Sequence, residues 1–124
     1  MPKIIISEDC GNSPKNIFVQ ELTIALGSGD VSSVLNRVTD DIRWNILGER
    51  VIQGKDHLAE ALEKANKVVE LSVHHVATHG RAGAVNGARK FINKNAQAFC
   101  HVYEFRDAKG TSIKEITSYV IEVE

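Results

Sequence analysis

The sequence predicts an α+β domain, a cone in which three N-terminal helices pack on a curved, mainly antiparallel sheet around a pocket. Apolar residues recur mostly at helical spacing up to Lys67 and at a spacing of two beyond it. The two closing runs, Gln97–Phe105 and Ser112–Val123, flank the turn Asp107-Ala108-Lys109-Gly110 and read as a hairpin. With 124 residues the chain fits one domain spanning residues 1–124, whose core is residues 14–124.

Each element has a local cause. Ser13-Pro14 starts the first helix, a hydroxyl cap followed by a proline whose missing N–H costs nothing there. Phe18, Leu22, Ala25 and Leu26 then share one face, and Gly27-Ser28-Gly29 ends the helix. Asp30 caps a short second helix carrying Val34 and Leu35. From Asp41 the period switches: Ile42, Trp44 and Ile46 alternate with Asp41, Arg43 and Asn45, as in a half-buried strand ended by Gly48. Gly54-Lys55-Asp56 opens a third helix with Leu58, Ala61, Leu62 and Ala65 in one stripe. Val68–Thr78 is rich in β-branched residues, and Ala84–Ile92 is a weaker strand where Gly87 suggests a bulge.

Composition narrows the function classes. A hydrophobic content of 43% with 25% charged residues is that of a globular domain. Fifteen Lys and Arg against sixteen Asp and Glu give a net charge of −1, without the concentrated positive field that nucleic acid requires. The apolar stretch at the N-terminus is only Ile4-Ile5-Ile6, too short for an export signal, and no run is long enough to span a membrane. A cytoplasmic location is expected, with Cys10 and Cys100 as free thiols and Cys100 as a small core residue.

On Gln97–Phe105 one face carries Phe99, His101, Tyr103 and Phe105, and the other carries Ala98, Cys100 and Val102. A strand wetted on one side would be polar there, so both faces are expected to be covered. The helices cover one; a second copy of the chain, in a twofold dimer, is the economical cover for the other.

The order helix–helix–strand–helix–four strands resembles the nuclear transport factor 2-like superfamily, with its cystatin-like cone. That group includes ketosteroid isomerases and SnoaL-type cyclases. The resemblance rests on Gly29-Asp30, Thr39-Asp40-Asp41, Gly54-Lys55-Asp56, Phe105-Arg106-Asp107 with Gly110 and Ile113, and Tyr119. Similar ketosteroid isomerases use a base Asp with a Tyr and a protonated Asp as oxyanion donors. Their positions fall here on Ile46, Leu22 and His101 respectively, so that reaction cannot run on the same groups. The resemblance also implies that Ile42, Trp44 and Ile46 face a pocket containing His101. Ser118 is expected to point in and Tyr119 out, unless a bulge exchanges them.

The candidates carry alternatives. His101 is either a hydrogen-bonded core histidine or a group that binds or moves a proton; inside a water-poor cavity its pKa is expected below the usual ~6.5. Trp44 is either core or a wall that stacks on a flat ligand. Asn86 either orients a ligand carbonyl or satisfies backbone at a bend. His74, His75 and His79 do not form a metal site. On a strand at ~3.3 Å per residue His75 and His79 lie about 13 Å apart, and zinc needs its ligands at ~2 Å. No cofactor motif is present, and no cofactor is expected.

The resulting expectation is a domain that binds a small apolar or aromatic ligand. Phe18, Leu22, Trp44, Ile46, Asn86, Tyr103 and Ser118 line the pocket, and His101 moves any proton in cofactor-free isomerase, cyclase or hydratase chemistry. The other reading is a non-catalytic dimeric module whose cone is a filled core.

Overall fold

The computed structural model describes residues 2–123. They form β1 (Lys3–Ile6), α1 (Pro14–Ser28), α2 (Val31–Leu35), β2 (Val38–Ile46), β3 (Arg50–Gln53), α3 (Lys55–Lys64), β4 (Val68–His79), β5 (Ala82–Phe91), β6 (Ala96–Phe105) and β7 (Ile113–Val123). The strands join in one open, mixed sheet of order β1-β4-β5-β6-β7-β2-β3. The succession β4 to β7 is an antiparallel meander, and β1–β4 and β2–β7 are parallel seams. The α+β class read from the periodicity therefore stands.

The capping chemistry acts as the sequence implies. The Ser13 side chain accepts the Asn16 N–H at 3.1 Å with Pro14 in the first turn. Gly29, at φ 69°, closes α1 in the left-handed region that glycine enters without penalty. Asp30 accepts from the Ser33 N–H at 3.3 Å to start α2. Helix α1 packs on β4 and β5, and α3 packs on β2 and β3. Val19 and Leu22 of α1, Val34 of α2 and Leu58 of α3 are fully buried with Val85, Phe105 and Ile116 from the sheet. Each such side chain contributes about 1.5–3 kcal/mol on leaving water.

Four features differ from the sequence reading. Strands β1 and β3 are additional; both are four residues long, and each leaves most of its residues exposed. The first strand of the reading begins earlier, at Val38. The bulge expected at Gly87 lies across from it: Val73 pairs with Gly87 and His75 with Asn86, leaving His74 as the extra residue of β4. Gly87 is required there because a Cβ would overlap the Ser72 carbonyl oxygen and press on the Phe99 ring. Finally, Cys100 is on the outer face and only part-buried, whereas Cys10 is the cysteine in the core.

A second register shift lies between Glu104 and Phe105 and sets the parity of β7. Ser118 faces inward at 1% exposure, and Tyr119 faces outward at 48%. In the single chain the outer face is open, with Val102, Tyr119 and Ile121 all exposed.

Candidate functional site

A cavity of about 770 Å³ opens between the end of α1, α3 and the sheet. Trp44 and Ile46 of β2, His101 of β6 and Ser118 of β7 are among its walls. Parallel pairing of β2 with β7 puts Ile46 opposite Ser118, and antiparallel pairing of β6 with β7 puts His101 opposite it too. Two strands distant in sequence thus converge on one serine.

Hydrogen bonding at that serine has a fixed polarity. The Trp44 indole Nε1–H, which can only donate, donates to Ser118 Oγ at 2.7 Å. Ser118 Oγ lies 2.6 Å from His101 Nδ1. Among the described residues Oγ has no other acceptor for its hydrogen, so it donates to Nδ1 and leaves the proton of the neutral ring on Nε2. His101 is buried, stacked on Phe99 with ring centroids 4.7 Å apart, and Nε2 has no protein partner among the described residues. Burial, then the nearby Arg89 charge, hold the imidazole at a pKa of about 3, so it is neutral near pH 7. That is the depression expected of a histidine in a water-poor pocket. With no carboxylate on the ring among the described residues, Ser118 and His101 lack the third member of a nucleophilic triad there.

The other sequence candidates sit elsewhere. Phe18, Leu22 and Tyr103 are not among the cavity walls but belong to the packed end of the same layer. Leu22 is fully buried, the Phe18 ring meets Phe105 at 5.7 Å, and Tyr103 is bonded to Thr23 at 2.6 Å. All three pack in or against the core on the helix-covered side, and depth along the layer separates them from the cavity. Asn86 is on the opposite face, where its side-chain oxygen lies 3.0 Å from His75 Nδ1. Among the described residues no three His, Cys, Asp or Glu side chains gather as metal ligands, and no helix is long and apolar enough to cross a membrane.

Sequence reasoning missed Arg89 and Gln97, which pair across β5 and β6 on the cavity side. Arg89 Nε donates to Gln97 Oε1 at 2.8 Å, and the guanidinium lies 5.6 Å from the Phe91 ring centre. The signal was present: Val85, Gly87 and Arg89 alternate on one face of a strand whose inward side is otherwise apolar or glycine.

Comparison with known proteins places this geometry. No protein-family model and no curated protein sequence matches the chain. Solved structures match well. A nuclear transport factor 2-like protein of unknown function from Burkholderia xenovorans superposes with a TM-score of 0.75 at 16% identity, covering 89% of this chain and 84% of that one. A candidate ketosteroid isomerase from Kribbella flavida gives a TM-score of 0.75 at 12% identity, over 89% and 79% of the two chains. An LEH-like epoxide hydrolase from M. tuberculosis gives 0.70 at 21% identity, over 85% and 76%. The chain has the nuclear transport factor 2-like fold, and the resemblance drawn from its sequence holds at that level. The fold hosts unrelated activities, so function must be argued from the site.

Proposed function

We propose that the chain binds a small apolar or aromatic molecule in this cavity. Trp44 and Ile46 form its walls, and the His101 Nε2–H orients a carbonyl or hydroxyl oxygen of the ligand. The observation that carries this reading is the Trp44–Ser118–His101 relay, which leaves one polar group of a buried ring unspent beside a cavity of about 770 Å³. A filled core would have closed over that group.

For turnover, the same geometry supports cofactor-free chemistry in which an oxygen of the substrate gains negative charge, as in isomerisation, cyclisation or hydration. His101 then acts as a hydrogen-bond donor to that oxygen. An imidazole with a pKa of about 3 is too weak a base to carry the proton transfer first expected of it. Ketosteroid isomerisation by the family's groups is unsupported, because Leu22 is sealed in the core and Ile46 carries no base.

Acetophenone, an aromatic ketone, tests the reading by amide NMR titration. It should shift the resonances of Trp44, His101 and Ser118, and His101→Phe should weaken its binding on the order of tenfold while the ring stack on Phe99 persists. Unperturbed cavity resonances in the native protein would sink the proposal. A homodimer through the outer face belongs to the same reading, supported by the exposed Val102, Tyr119 and Ile121. Sedimentation velocity should give twice 13.6 kDa, and a clean monomer at micromolar concentration excludes it.

A further inference from the structure

Arg89 is a cation set into the cavity wall with most of its donors unspent. Of its guanidinium nitrogens only Nε is engaged, by Gln97; among the described residues the two terminal nitrogens bond no protein group and pair with no carboxylate. Glu49 acts on it from the cavity rim but lies beyond ion-pair distance and is itself exposed. Partial burial destabilises the charged guanidinium, and the nearby His101 cannot compensate it, because the only charged form of an imidazole is also a cation.

The surroundings share this sign. Besides Arg89 the cavity is bordered by Arg50, Lys64, Lys67 and Lys94. Among the described residues only Glu49 and Glu63 oppose them there, although the chain as a whole carries a charge of −1. One of these cations is partly committed, Lys64 to Glu60 at 3.2 Å. Phe91 lies beneath both Arg89 and Lys94, at 5.6 and 4.7 Å from its ring centre, giving the positive region an aromatic floor. A cavity with apolar walls, a directional donor at one place and a forked cation at another fits a two-ended ligand.

We infer that the ligand is an apolar or aromatic carboxylate whose anionic group is held by the Arg89 fork while its body extends toward Trp44 and His101. This rests on the binding role proposed for the cavity and adds the class of ligand. A carboxylate suits the fork because two parallel N–H groups can meet its two oxygens. Gln97 holds Nε and so fixes the plane of the fork. Along β6, Gln97 and His101 are four residues apart and share the inward face, so the fork and the His101 ring open onto the same cavity.

The test compares phenylacetate with phenylacetamide, which share size and aromatic ring and differ in charge. Amide NMR titrations would be run on the native protein, Arg89→Met and Arg89→Lys. In the native protein phenylacetate should perturb the Arg89–Gln97 region and bind on the order of tenfold more tightly than the amide. Arg89→Met should abolish that preference, and Arg89→Lys should retain part of it. Melting curves establish that each variant is folded; if Arg89→Met does not fold, the lysine variant and loss of preference at high salt decide instead. Equal affinity for both probes at the cavity overturns the anionic assignment and leaves the pocket intact, as acetophenone would independently show. If acetophenone and both of these probes leave the cavity resonances unmoved, the pocket reading and this inference fall together.

Discussion

Strand β6 runs through two environments that its own sequence does not distinguish. Toward its C-terminal end, Tyr103 and Phe105 point inward and are sealed by α1. Thr23 spends its hydrogen on the Val19 carbonyl at 2.8 Å, so the Tyr103 hydroxyl donates to Thr23 at 2.6 Å and both hydroxyls are matched. Two residues earlier, His101 is almost as buried, yet one of its nitrogens has no partner among the described residues and the ring borders a cavity. Burial moves both groups toward neutrality, raising the tyrosine and lowering the histidine. The two ends differ in completeness: one is closed chemistry, the other is held in one tautomer with a donor unspent beside the cavity.

Leu22→Ala strikes the closed end and should have the largest effect. It removes a fully buried side chain and should lower stability by about 2–5 kcal/mol in a urea melt. A loss well under 1 kcal/mol would mean that the closed end is as loosely filled as the open one.

Acid should act chiefly on the open end. The His101 pKa is about 3 in the folded chain against 6.5 for an ordinary histidine. Between those values the unfolded chain binds a proton that the folded chain refuses, so stability rises with pH. The contribution is complete above about pH 6.5 and is lost as pH falls toward 3, at ~1.4 kcal/mol per pH unit. Thermal melts from neutral to moderately acid pH should therefore fall more steeply for the native protein than for His101→Asn. Parallel curves would show a histidine with ordinary access to water.

Tyr103→Phe should have the smallest effect. It deletes one hydrogen bond and leaves a lone pair of Thr23 unmatched, while Thr23 keeps its bond to Val19. A loss of about 1 kcal/mol is expected. No loss at all would show that the closed end does not depend on polar matching.

These contrasts explain what could be read in advance. Periodicity reports which face a side chain occupies, so Ile42, Trp44, Ile46, His101 and Ser118 were all assigned inward. It does not report how far along the layer the helices reach, so Phe18, Leu22 and Tyr103 were placed in a pocket that stops short of them. The Asn86 expectation failed for a related reason. Its side chain is on the outer face, beside a bulge that resides in β4 and not in its own strand. Strands β1 and β3 escaped because four residues with little burial carry no readable alternation. Arg89 is hard to read because its strand, interrupted by Gly87, shows too weak an alternation to mark it as the inward residue that follows Val85 and Gly87.

Trp44 is the chain's only tryptophan, and its indole N–H is tied to the serine that fixes His101. The protein's intrinsic indole emission therefore originates on the cavity wall. Ultraviolet fluorescence at this one residue is a built-in optical probe of what enters the cavity, free of background from any second indole, and it requires no label.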